Sequence, residues 1–266
     1  MSNRPQPVIA PEWFGTPLGL YLLSREQEYF DRAVADVFGY NAFQLGLVEH
    51  DFLRASRIPL RCRADERGPV QVRADFHDLP IGGNTVDLVL LPHVLEFTEH
   101  PHQILREVER VLVPDGHVVI ACFNPWSLWG LRRTFHFRKH YPWRGRFINL
   151  PRLKDWLALL NFEIVGGQFS GYSPPLTQQK WLDRFGFMEK AGDRWWPIAG
   201  GVYFLEAVKR VRGMRLIMPR WSDRLAPRKR LAAAPQRVRD RREPIAARET
   251  AEHLAVIRGN LKKAKD

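Results

Sequence analysis

"FQLGLVEHDFL", residues 43 to 53, is the first stretch whose residue types suggest chemistry. The apolar run from Tyr40 to Leu45 has the character of a buried strand and Gly46 turns the chain. From Glu49 onward the pattern predicts a helix with Phe52 and Leu53 on one side. Strand, glycine and helix in that order can hold an anionic ligand, because a helix N-terminus offers free N–H groups and a favourable dipole. Gln44, at the end of the strand, can accept a hydrogen bond but supplies no charge. Val48 and His50 follow the glycine with bulky side chains that take up space near the backbone. A second stretch, "NPWSLWGLRRTFHFRKHYPWRGRF" (124–147), interleaves aromatic residues such as Trp126, Trp129, Tyr141 and Trp143 with arginines such as Arg132, Arg133 and Arg146. Aromatic faces beside guanidinium groups suit a planar or anionic substrate, or a nucleic-acid base with its phosphates. The same composition also suits a helical hairpin whose aromatics pack on the domain and whose charges are solvated.

The elements that position these residues follow from the apolar pattern. Ser24 to Phe38 is predicted as a helix with Ser24 as its cap and Gln27 in the capping-box position. Strand candidates follow at 40–45, 58–62 and 70–74, and "VDLVLLP" (86–92) is a near-continuous apolar run that fits a buried parallel strand. Pro101 to Leu112 has helical spacing, "PDGHVVIACF" (114–123) is a turn into another buried strand, and "LPRLKDWLALLNF" (150–162) is an amphipathic helix closing at Asn161. "FEIVGGQF" and "GVYFLEAVKRV" read as two last strands. Strands alternating with helices in this way predict an α/β, doubly wound, mostly parallel sheet. A second aromatic insert, 173–197, precedes the final strand and is expected to complete a lid.

The chain has 266 residues, 45% of them hydrophobic, enough for one substantial core. Its net charge of +12 is concentrated at one end. Residues 209–266 hold 18 Lys/Arg and 6 Asp/Glu, whereas residues 1–208 hold 23 of each and cancel. The expected organisation is an extension (1–23), a main domain (24–211) and a basic, partly disordered tail (212–266) with one short amphipathic helix marked by Ala251, Leu254, Ile257 and Leu261. Such a tail can bind nucleic acid through counterion release, and can equally be a solvated charge run. No apolar stretch reaches the roughly 20 residues that span a bilayer. Cys62 and Cys122 lack metal-ligand spacing, which predicts buried free thiols in a reducing cytoplasm.

Residues 72–125 resemble the class I S-adenosylmethionine-dependent methyltransferases of the type 11 branch. "ADFHDLP" is similar to the acidic loop after the third strand, "TVDLVLLPHVLEF" to the fourth strand and its turn, and "REVERVLVPDGHVVI" to the helix, turn and fifth strand. The resemblance implies a seven-stranded sheet with an antiparallel last strand, and S-adenosylmethionine lying across the carboxyl ends of the first strands. Residue by residue, Gly46 matches the first glycine of the cofactor loop, and Gln44 stands where an acid meets the amino group of methionine. Asp75 matches the acid that contacts the adenine amino group, Phe76 is its expected adenine neighbour, and Leu91, Pro92 and His93 match the segment beside the methionine moiety. At the end of the second strand, where the family places an acid for the ribose, "LRCRADERG" offers Arg61 and Arg63, with Asp65 and Glu66 as substitutes. A nicotinamide cofactor is disfavoured, because no GxGxxG follows the first strand.

Methyl transfer requires mainly that a nucleophile be held in line with the sulfonium methyl, and a base only where the acceptor is protonated. His93 is the candidate for that base, and shaping the turn is its other reading. Asn124-Pro125 follows the fifth strand and reads as a loop opener. Three functions are consistent with these residues: methyl transfer to a small or planar substrate, a catalytically inactive binding or scaffold protein on the same fold, and an RNA methyltransferase that uses the basic tail.

Overall fold

The computed structural model describes residues 11–66, 70–135, 141–176, 178, 180, 184, 187–196 and 198–211. The chain divides after Gly213, and every described element lies in the first unit. The basic tail, with its expected amphipathic helix, lies outside the described residues, as does part of each aromatic insert.

The elements run α1 (Pro11–Phe14), α2 (Pro17–Ala35), β1 (Asn41–Leu45), β2 (Leu60–Asp65), β3 (Val72–Arg73), β4 (Val86–Pro92), a 3-10 turn (Leu95–Phe97), α3 (Pro101–Val111) and β5 (Leu112–Phe123). They continue with α4 (Leu128–Phe135), α5 (Leu150–Leu159), β6 (Phe162–Ser170), α6 (Phe187–Trp195) and β7 (Val202–Lys209). The seven strands form one sheet in the order β3-β2-β1-β4-β5-β7-β6. β7 runs antiparallel to both β5 and β6, and the pairs β3-β2, β2-β1, β1-β4 and β4-β5 are parallel. The order reverses between β1 and β4, the crevice where open α/β sheets hold their ligands.

β4 shows why the sheet is buried on both faces. Val89 and Leu91 point to one core with Ile104, Leu105 and Val108 of α3 and Leu153 and Leu157 of α5. Leu88 and Leu90 point to the other core with Leu22, Phe30 and Val34 of α2. Each such side chain contributes roughly 1.5–3 kcal/mol on full burial. Asp87 breaks the apolar run because its Oδ2 accepts from the N–H groups of Tyr40 (2.7 Å) and Asn41 (2.9 Å), docking the start of β1.

Three expectations are corrected. The helix expected to start at Ser24 starts at Pro17, because the Thr16 hydroxyl accepts from the Gly19 N–H at 3.2 Å and proline occupies the first helical position. Phe14 and Leu18 are therefore core residues. The helix expected from Glu49 is replaced by turns through 46–55. Cys122 is buried as expected, but Cys62 is only half-buried.

Candidate functional site

Three clusters meet at the carboxyl edge of the sheet. The first stands at the ends of β2 and β3. The ligand-type atoms of Glu66, Asp75 and His77 lie within 4.8 Å of one another. The Asp75 Oδ1 accepts from the His77 N–H at 2.8 Å and lies 2.8 Å from His77 Nδ1, while His77 Nε2 is 3.0 Å from the Thr98 hydroxyl. Burial, and then the negative charge of Asp75, push the Glu66 carboxyl above its ordinary range. Arg61 and Arg63 turn away from this edge. Arg61 donates to the carbonyls of Leu53 and Arg54, and Arg63 to that of Val48. Glu66 is thus a carboxylate that this edge presents just after β2. Phe76 does not offer an open face, because its ring is buried in the core with Ala74 and Leu79.

The second cluster is the turn after β1. Gly46 has a φ of 81°, a left-handed conformation that glycine adopts without strain, and its N–H donates to the Ala64 carbonyl at 2.9 Å. Gln44 is fully buried. Its Nε2 donates to the carbonyls of Gly46 (3.1 Å), Leu47 (3.0 Å) and His50 (2.8 Å), and its Oε1 accepts from the Phe52 N–H (3.0 Å). Four backbone groups that a helix would need are thus bound to one side chain. Leu47, Phe52 and Leu53 are buried in the core shared with α2.

The third cluster lies at the end of β4, where Leu91 and Pro92 are buried and His93 adopts a φ of 53°. The His93 ring is fully buried, stacked on Phe123 at 4.1 Å, and held at both nitrogens. Nε2 lies 2.5 Å from Glu26 Oε1 of α2, and Nδ1 lies 3.0 Å from Glu96 Oε1, which also accepts from the Phe123 N–H at 2.7 Å. Burial alone would strip the proton from this imidazole, but the two carboxylates outweigh it and hold the group up to about 10. His93 was expected at an open mouth of the strand. The structure corrects this to a buried, protonated ring with no nitrogen left to take a proton from an acceptor. The second oxygens of Glu26 and Glu96 and the Tyr141 hydroxyl are buried and have no hydrogen-bond partner among the described residues. Such unmet acceptors are the kind that an ordered water or a polar ligand group takes up.

The aromatic–arginine segment mostly packs on the domain. Trp129, Tyr141 and Trp143 are buried, with Arg132 over the Trp143 ring and Arg133 over Phe147. Among the described aromatic residues of the segment, Trp126 is the exception at 72% exposure. Asn124 closes the end of β5 onto the approach to β7, donating to the carbonyls of Ile198 (2.7 Å) and Gly200 (2.9 Å).

Glu26 and Glu96 escaped sequence reasoning, although each left a signal. Glu26 occupies the buried helical stripe of Leu22 and Phe30 at four-residue spacing, and Glu96 follows His93 by three residues. For the cofactor that the resemblance implies, the donor set fits at the adenosine end. Glu66 can accept from ribose hydroxyls and Asp75 from the adenine amino group. At the methionine end it does not fit in this conformation, since Gln44 is fully committed to the backbone of its own turn.

Known proteins agree with this architecture. Residues 48–120 match the family described as "Methyltransferase domain". The chain is 36% identical over 168 residues to the uncharacterized protein YafS of Escherichia coli, covering 62% of this chain and 70% of that protein. It is 30% identical over 96 residues to a malonyl-[acyl-carrier protein] O-methyltransferase of Laribacter hongkongensis, covering 36% of this chain and 32% of that enzyme. Among solved structures, a SAM-dependent methyltransferase of Thermotoga maritima, titled a possible histamine N-methyltransferase, superposes with a TM-score of 0.55 at 15% identity, over 75% of this chain and 93% of that one.

Proposed function

Because the chain belongs to the class I S-adenosylmethionine-dependent methyltransferases, we propose that it transfers a methyl group from S-adenosylmethionine to a small or planar acceptor. The observation that carries this reading is the convergence of Glu66 and Asp75 at the ends of β2 and β3, beside the crevice where the strand order reverses. The bound cofactor supplies an electrophilic methyl group. The protein's part is to hold the adenosine half on Glu66 and Asp75 and to keep the edge of the sheet rigid through Gln44 and the Glu26–His93–Glu96 cluster. His93 acts here as a positioning residue, because both its nitrogens are taken.

A second reading is favoured by the closed turn. A binding or scaffold protein on the methyltransferase fold needs no open methionine site, and Gln44 is committed to the backbone of its own turn. Incubation with methyl-labelled S-adenosylmethionine separates the two. The full chain and a form ending at Arg212 are each offered a small-molecule extract and total RNA. Label is expected in the extract with both forms. Label in neither pool would leave the scaffold reading, and label only in RNA, lost on truncation, would replace the small acceptor with RNA.

A further inference from the structure

The described residues line a half-open cavity of about 520 Å³ between the starts of α3 and α5, within the size range of small-molecule sites. Its lining is of two kinds. Trp126, Phe147 and Trp156 supply aromatic faces, and Arg146 and Arg152 supply the cationic groups. Arg152 lies 5.1 Å over the Trp156 ring, and His102 packs against the same ring at 3.9 Å. The side chains of Arg146 and Arg152 have no carboxylate partner among the described residues, while Glu99 is the one acid on the lining. Burial, and then the positive charges of Arg152 and Arg106, hold the His102 imidazole below its ordinary value, so the positive charge on this lining is that of the guanidiniums. An exposed tryptophan at the rim of a cavity with unpaired guanidiniums is an arrangement that stacks a ring and captures an anion.

The cavity is also connected to the site already described. Thr98, on its wall, bonds His77 of the adenosine cluster, and the Arg146 N–H donates to the Glu96 carbonyl at 2.7 Å. The 3-10 turn at 95–97 is thus a common wall between the cavity and the buried His93 cluster.

We infer that this cavity binds a planar aromatic molecule carrying an anionic group, held between Trp126 and Trp156 with its charge on Arg146 and Arg152. That this occupant is the methyl acceptor rests on the methyltransferase reading, whereas the binding itself does not.

The test is therefore made without cofactor, by titrating the full chain with phenyl phosphate, benzoate, benzamide and inorganic phosphate under ligand-observed NMR. Phenyl phosphate and benzoate are expected to bind, with benzamide and inorganic phosphate about tenfold or more weaker, the value of one charge-assisted contact or one stacked ring. The double variant Arg146→Gln/Arg152→Gln, both exposed positions, should keep the wild-type circular dichroism and lose about tenfold or more for phenyl phosphate. Trp126→Ala should weaken phenyl phosphate and leave inorganic phosphate unchanged. Unchanged affinity in the double variant, or equal binding of phosphate and phenyl phosphate, would overturn the inference. So would arginine-dependent binding of a single-stranded RNA that phenyl phosphate fails to displace. If the anions bind as expected and no methyl transfer is found, the cavity stands and the proposed activity falls.

Discussion

Replacing His93 by alanine is expected to destabilise the fold by about 3–5 kcal/mol, the cost of leaving buried charges without their partner. Glu26 and Glu96 both have fully buried side chains, and their Oε1 atoms face the two ring nitrogens. Without the imidazolium, two carboxylates would share an enclosed space that already contains two unmet oxygens and a phenol. His93→Gln, which restores one donor but no charge, should recover only part of the loss. Urea denaturation measures both, and a variant within about 1 kcal/mol of wild type, the ordinary size of a point mutation, would show that the cluster is not charged as described. The same cluster sets a pH dependence. The folded value of about 10 lies above the ordinary histidine value, so the contribution is complete below about pH 6.5 and is lost as pH rises through about 10. Wild-type stability should fall across that alkaline window, and His93→Ala should lack this component of the fall.

The second large effect belongs to Gln44. Gln44→Ala removes every side-chain contact from a fully buried site and leaves the Phe52 N–H and the carbonyls of Gly46 and His50 without this partner, while the Leu47 carbonyl keeps the His50 N–H, an expected loss of about 2–4 kcal/mol. Gln44→Glu is the more telling substitution. It introduces the acid that the family places at this position, yet a carboxylate cannot donate to the carbonyls of Gly46, Leu47 and His50. The variant should be at least as unstable as the alanine form. A stable Gln44→Glu protein with raised affinity for S-adenosylmethionine would instead mean that the turn opens and that residue 44 meets the methionine amino group.

The sequence was most legible where backbone pairing and apolar spacing agree. β4 and α3 fall within a residue of expectation because Leu88 to Leu91 form an apolar run buried on both faces and Ile104 to Val111 bury one helical face, whereas β5 begins at Leu112 and takes in residues 114–116, where a turn is expected. The turn after β1 was misread for a physical reason. Glu49, Phe52 and Leu53 imitate a helix start, but the Gln44 amide binds the carbonyls and the N–H that a helical ladder needs, and Leu47 adopts a φ of 46°. Nothing in the spacing of a glutamine announces four backbone contacts. The helix cap was displaced in a similar way, since Thr16-Pro17 is as good a start as Ser24 and only packing of Phe14 and Leu18 on the core decides between them. At the site, Asp75 stands just after β3, and that Glu66 lies beside it while Arg61 and Arg63 turn to backbone carbonyls is a tertiary fact no local pattern contains. The cavity between α3 and α5 joins residues 95–102 to residues 125–156, a pairing that no local pattern contains.

The most direct test of the methyltransferase reading is calorimetric titration of the full chain with S-adenosylhomocysteine, repeated with Glu66→Ala and Asp75→Ala. Wild type is expected to bind, and each substitution to weaken binding by about 1–3 kcal/mol, the cost of an unmet polar partner on the ligand. Binding that is unchanged in both variants would move the adenosine away from the ends of β2 and β3. No heat at about millimolar ligand, an affinity near 4 kcal/mol, would contradict the enzyme reading and leave the closed turn after β1 as the mark of a protein that kept the fold without the cofactor.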